Sequence, residues 1–214
     1  MRIHRLLAAA LVALIVSVLG SITPPQAAAA GNVPITIALT AIVDEVYDPF
    51  QILGGTIHPG DSMTGSYTYN GAATDAVPSP DSGAYVHTTA PYGMSLKAGE
   101  HVFETDPQNV YFLISLSNNF YGHDIYLFYS ANNRPLSDHI KISWFEWYLD
   151  DPTQTALKNT NLPKTAPKLS DWQQSVVEQE GLVVEGYADN AQYPNEPYPF
   201  RIRGHVTQAQ KITR

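Results

Sequence analysis

Gly60-Asp61-Ser62-Met63-Thr64-Gly65-Ser66-Tyr67-Thr68-Tyr69-Asn70 reads as a turn followed by a strand. Met63, Gly65, Tyr67 and Tyr69 fall on one side, and Ser62, Thr64, Ser66 and Thr68 on the other. A strand buried on one face requires that two-residue period, because successive side chains point to opposite faces. Pro59-Gly60-Asp61 supplies the turn before it: Pro fixes φ, and Gly accepts φ > 0.

The same pattern continues on both sides. Upstream, Ile35, Ile37, Leu39, Ala41 and Val43 alternate within Pro34–Tyr47, and both faces are apolar enough for a central strand. Thr56-Ile57-His58 reads as a short return strand. Asn70–Gly83 has no apolar period and reads as a long loop. Downstream, short strands are expected at 84–89, 92–97 and 101–105, with a hairpin turn at Ala98-Gly99-Glu100. Further strands are expected at Val110–Leu116, Ile125–Tyr129, His139–Asp150, Leu182–Tyr187 and Phe200–Thr207. Within His139–Asp150 the apolar character changes face near Trp144, which predicts a β-bulge or a covered central strand. Arg201 and Arg203 would suit an edge strand that resists pairing with other sheets. Ser170, three residues before Gln173, predicts one capped helical turn. About nine or ten short strands with no convincing helix predict an all-β fold: an antiparallel two-sheet β-sandwich, jelly-roll-like.

The first 30 residues predict a secretory signal peptide. Arg2 and Arg5 make a basic start, Leu6–Leu19 is small and apolar, and Ala28-Ala29-Ala30 offers a cleavage site. The apolar run is shorter than the roughly 20 residues a spanning helix needs. Residues 31–214 then form a single β-sandwich domain, long enough to bury a sizeable core. The chain has no Cys, which excludes disulfides, thiolate metal sites and lipoprotein acylation. The formal net charge is −8, and removing the two leader arginines leaves −10. That balance disfavours nucleic acid and anionic membranes. A secreted monomer, extracellular or periplasmic, is expected, with no membrane association after cleavage.

Few motifs carry chemistry. Gly60-Asp61-Ser62-Met63 has the letters of a GDSL esterase nucleophile block, but Ser62 leads into a strand and the later Asp-x-x-His block is missing. Asn70, Asp75 and Asp81, and likewise Asp189, Asn190 and Glu196, are oxygen ligands of the kind Ca²⁺ prefers, yet neither set has a Ca²⁺-loop spacing. The six His of the mature chain are scattered, with no i, i+2 or i, i+4 pair. No metal, cofactor or catalytic residue is assigned. The most suggestive cluster is Trp144-Phe145-Glu146-Trp147-Tyr148. Aromatic faces stack on sugar rings, and a carboxylate beside them accepts sugar hydroxyls. Trp144, Glu146, Trp147 and Trp172 are therefore the candidate ligand-binding residues.

In the order of these elements the chain resembles uncharacterised β-sandwich domains of exported bacterial proteins that carry a PEP-CTERM sorting tail. The likeness rests on Gly60-Asp61, Gly65-x-Tyr67-x-Tyr69, Gly83-x-Tyr85, Gly93-x-Ser95-Leu96, Phe103-x-Thr105, the Val110–Leu116 strand, Leu149-Asp150-Asp151 and Arg203-Gly204-His205-Val206-Thr207. Gln208–Arg214 lacks the tail's Pro-Glu-Pro, apolar helix and basic cluster, so the resemblance implies a released member. It implies no activity and no site residues.

The expected function is non-enzymatic binding of extracellular polysaccharide or a matrix protein. Sugar binding predicts Trp144, Trp147 or Trp172 exposed in a row on a concave face. One alternative is a glycan-active hydrolase or lyase using Glu146, which needs a second carboxylate across a cleft. The other is a structural or protein-binding module.

Overall fold

The alternation seen in the sequence becomes ten strands. The computed structural model describes residues 31, 33–77, 79–174 and 181–212; the signal peptide read at 1–30 lies outside them. The strands are β1 (Pro34–Tyr47), β2 (Ser62–Asn70), β3 (Ser82–His87), β4 (Gly93–Ala98), β5 (His101–Glu104), β6 (Tyr111–Phe120), β7 (His123–Ala131), β8 (Ile140–Asp151), β9 (Gly181–Ala188) and β10 (Tyr198–Lys211). Helix among the described residues is limited to a 3₁₀ turn at Leu169–Asp171. Lys168 stands at its start with no side-chain cap, so Ser170 lies inside the turn rather than capping it.

All pairs are antiparallel, and they join into one continuous sheet in the order β3-β6-β7-β8-β9-β10-β1-β2-β4-β5. The fold class is thus all-β and antiparallel. Hydrogen bonding does not divide the strands into two sheets, and β6 to β10 run as a simple meander rather than through Greek keys. The sheet curls instead. Bulges at Thr207 on β10, opposite Thr40/Ala41, at Asp44 on β1, and between Ile142 and Trp144 on β8 add local twist. Its inner faces then meet: the Tyr67 ring of β2 lies 4.7 Å from Phe128 of β7 and 6.3 Å from Trp147 of β8.

The inner face carries the core, with Ile35, Ile37, Leu39, Met63, Tyr67, Leu96, Phe112, Phe128, Phe145, Trp147 and Ile202 all buried. The segment 157–166 packs over this core and is pinned by two phenols. Tyr69 donates to the Pro163 carbonyl at 2.6 Å, and Tyr85 donates to the Thr160 carbonyl at 2.8 Å. Glycine is required at Gly65, where a Cβ would sit 2.0 Å from the Ser95 carbonyl oxygen of β4.

Two readings of the sequence are corrected. Thr56-Ile57-His58 is loop, with Ile57 as its one buried anchor. Arg201 and Arg203 do not guard an edge, because β1 pairs with β10 along its length and places it inside the sheet.

Candidate functional site

The bulge between Ile142 and Trp144 sorts the aromatic cluster of β8. Beyond it, Phe145, Trp147 and Leu149 point into the core, while Trp144, Glu146 and Tyr148 point outward and keep partial exposure. Trp147 is 0 % exposed and donates its indole N–H to Gln174 at 3.0 Å, so no sugar ring reaches it. Trp172 packs against the core with its ring 6.3 Å from Tyr126. The three tryptophans therefore form no exposed row, and Trp144 is the one on the outer sheet face.

Cross-strand register assembles new neighbours around Trp144 and Glu146. Glu146 lies opposite Tyr129 of β7 and Val183 of β9, Val183 lies opposite Arg203 of β10, and Arg203 lies opposite Glu45 of β1. One row over, Trp144 lies opposite Glu185, Glu185 opposite Arg201, and Arg201 opposite Tyr47. Side chains at such positions on one face are within reach of each other. Two of the four sequence candidates, Trp144 and Glu146, are thus brought together, and Tyr129, Glu185, Arg201, Arg203 and Glu45 join them.

The charges here are interlocked. Arg201 Nη1 lies 3.5 Å from Glu185, and its Nη2 lies 3.9 Å from Glu45. Arg203 donates to Glu45 at 3.4 Å. The Arg201 guanidinium also sits 6.0 Å from the centre of the Tyr47 ring. Among the described residues, Glu146 forms no ion pair within 4 Å. Burial, then the charge of Glu185, push its carboxyl up to about 7, against the pull of Arg203. Burial, with Glu146 and Tyr111 nearby, raises the Tyr129 phenol. Further along β10, His205 Nδ1 lies 2.8 Å from Asp44, the residue extruded at the β1 bulge.

Chemically, this face offers aromatic surface, two guanidiniums tied to carboxylates, and one carboxyl that carries or releases a proton near neutrality. Among the described residues, no group of three or more His, Asp or Glu side chains is placed to hold a metal ion. The added partners left one sequence signal, Arg201-x-Arg203 on one face of a strand, but pairing with Glu45 and Glu185 depends on register. No family model, curated protein sequence or solved structure matches this chain.

Proposed function

We propose that this is a secreted, non-enzymatic protein that binds extracellular polysaccharide through the outer face of β7–β10. The observation that carries the reading is the grouping of Trp144 and Tyr129 around Glu146, Glu185, Arg201 and Arg203 on one continuous sheet face. An aromatic surface supplies stacking for sugar rings, and the flanking charged groups supply hydrogen bonds to hydroxyls. Both guanidiniums are matched by Glu45 and Glu185, and Glu146 is surplus acid. The face therefore suits neutral glycans better than polyuronates. We read the curled sheet as the two layers of a sandwich joined through β10 and β1, and the protein as a monomer resembling the PEP-CTERM-type exported domains.

A second reading, a glycan hydrolase, is favoured by one pair. Glu146 holds its proton to about pH 7 beside Glu185, and a carboxyl that keeps its proton near neutrality suits the general-acid role, with Glu185 as the second carboxyl. The purified protein should be retained on insoluble or gel-embedded neutral polysaccharides, with reducing ends assayed in the same tubes. Retention without new reducing ends is expected. New reducing ends that vanish in Glu146→Gln would establish the hydrolase instead. Absence of retention on every polymer would leave a structural or protein-binding role.

A further inference from the structure

A separate depression of about 190 Å³ opens on the outer face at the other end of the sheet. Its floor is set by register. Ser66 of β2 lies opposite Ser95 of β4, and Ser95 lies opposite Glu104 of β5. Three polar side chains therefore stand in one row and face outward. Thr68 adds a hydroxyl beside them, and Pro91 and Pro107 form walls from the flanking loops.

The polar groups in this row are available. The hydroxyls of Ser66 and Ser95 make no hydrogen bond to any described residue. Glu104 is held in place: Arg134 donates to its Oε1 at 2.5 Å, and the Arg134 backbone N–H donates to the Glu104 carbonyl at 2.9 Å. That arrangement holds the carboxylate through Oε1 and leaves Oε2 able to accept a further hydrogen bond. It also neutralises the charge, so the site does not call for a cation. Few oriented polar groups between apolar walls are the usual composition of a small-molecule site. Two hydroxyls and a carboxylate oxygen match a ligand with several hydroxyls of its own, and the proline walls match its C–H faces.

We propose that this depression binds a single neutral sugar unit, with Ser66, Ser95 and Glu104 as its hydrogen-bonding residues. The site is distinct from the β7–β10 face and stands independently of the function proposed for it.

The test is amide NMR of the full chain titrated with glucose, galactose, mannose and N-acetylglucosamine. At least one sugar should give saturable shifts centred on Ser66, Ser95 and Glu104. Ser95→Tyr, which fills the depression from an outward position, should weaken binding by about tenfold or more. Ser66→Ala removes one hydroxyl without adding bulk. It should weaken binding severalfold while amides elsewhere stay unshifted, which guards against a folding defect in the larger variant. Trp144→Ala should leave these shifts intact. Absence of saturable shifts with all four sugars, unchanged affinity in both serine variants, or shifts centred on Trp144 and Glu146 would each overturn the site.

Discussion

The hydroxyls of Tyr67 on β2 and Tyr126 on β7 meet at 3.0 Å inside the core. These strands are not neighbours in the sheet, and β8, β9, β10 and β1 lie between them in the pairing order. The bond therefore fastens the curl itself. Burial first, together with their mutual contact, holds the Tyr67 phenol well above its ordinary range, and burial does the same for Tyr126. Both stay neutral, so one donates and the other accepts. Tyr67→Phe or Tyr126→Phe leaves one hydroxyl without this partner in the buried core, at a cost of about 1–3 kcal/mol. The double variant should cost less than the sum, because no orphan remains. Urea midpoints of the four proteins give the coupling, and strict additivity would count against a bond that closes the fold.

Asp151 ends β8 and organises the loop after it. Its Oδ1 accepts from the Thr153 N–H and hydroxyl, and its Oδ2 accepts from the N–H groups of Thr155 and Ala156. Burial alone would raise this carboxyl, but these hydrogen bonds outweigh it and bring it down to about 2. The folded state therefore binds this proton more weakly than the unfolded chain. The stabilisation is fully present above about pH 4 and is lost as pH falls towards 2. It amounts to at most about 2 kcal/mol. Asp151→Asn should lower stability at pH 7 and flatten the loss between pH 4 and 2. An unchanged acid limb in melting temperature against pH would show that Asp151 does not set it.

What the sequence made legible was local. In β2, apolar and polar residues alternate cleanly, which separates Tyr67 and Tyr69 from Ser66 and Thr68 as the structure does, whereas in β1 both faces are apolar and only the structure shows that Ile35, Ile37 and Leu39 are the buried ones. The bulge at Trp144 showed as a change of apolar face. Which aromatics of β8 point inward was not legible, because Trp144 and Tyr148 are as apolar as Phe145 and Trp147. The partners of Glu146 were hidden for a different reason. Glu185 and Arg203 reach it through the β8–β9 and β9–β10 registers, which no single stretch encodes. Likewise, the pairing of β10 with β1 joins the two ends of the domain, and it turned an expected edge into the middle of one sheet.

Glu146 gives the opposite pH signature to Asp151. Folded Glu146 holds its proton to about pH 7, against 4.5 for an ordinary glutamate, because burial and then Glu185 penalise the anion. Its contribution is most favourable below about pH 4.5 and is lost as pH rises through about 7. The loss is at most about 3 kcal/mol. Glu146→Gln keeps the shape without the charge and should be more stable than the parent at pH 8, with little difference at pH 4.5. Thermal melts at the two pH values decide it. A parent and variant that lose stability in parallel between them would mean that Glu146 ionises without penalty.

Trp144 and Trp147 stand three residues apart on one strand, yet they should answer different assays. Trp147 is fully enclosed, touches Tyr67, Tyr126 and Phe128, and is anchored through Gln174. Trp147→Ala opens a large cavity and removes one of the two hydrogen bonds that Gln174 Oε1 accepts, the other coming from the Val206 N–H, so it should cost about 3–5 kcal/mol of folding stability. Trp144 lies outward on the β8 face beside Glu185 and keeps partial exposure. Trp144→Ala should change stability by about 1 kcal/mol or less. It should nevertheless reduce retention on a neutral polysaccharide gel by about tenfold, because stacking area is lost where a sugar would lie. Measuring both variants by denaturant unfolding and by affinity electrophoresis separates the roles. Loss of retention that merely tracks loss of stability in both would leave the outer face without a binding role. A Trp144→Ala protein that is folded yet unretained would assign that role to the outer face of β8.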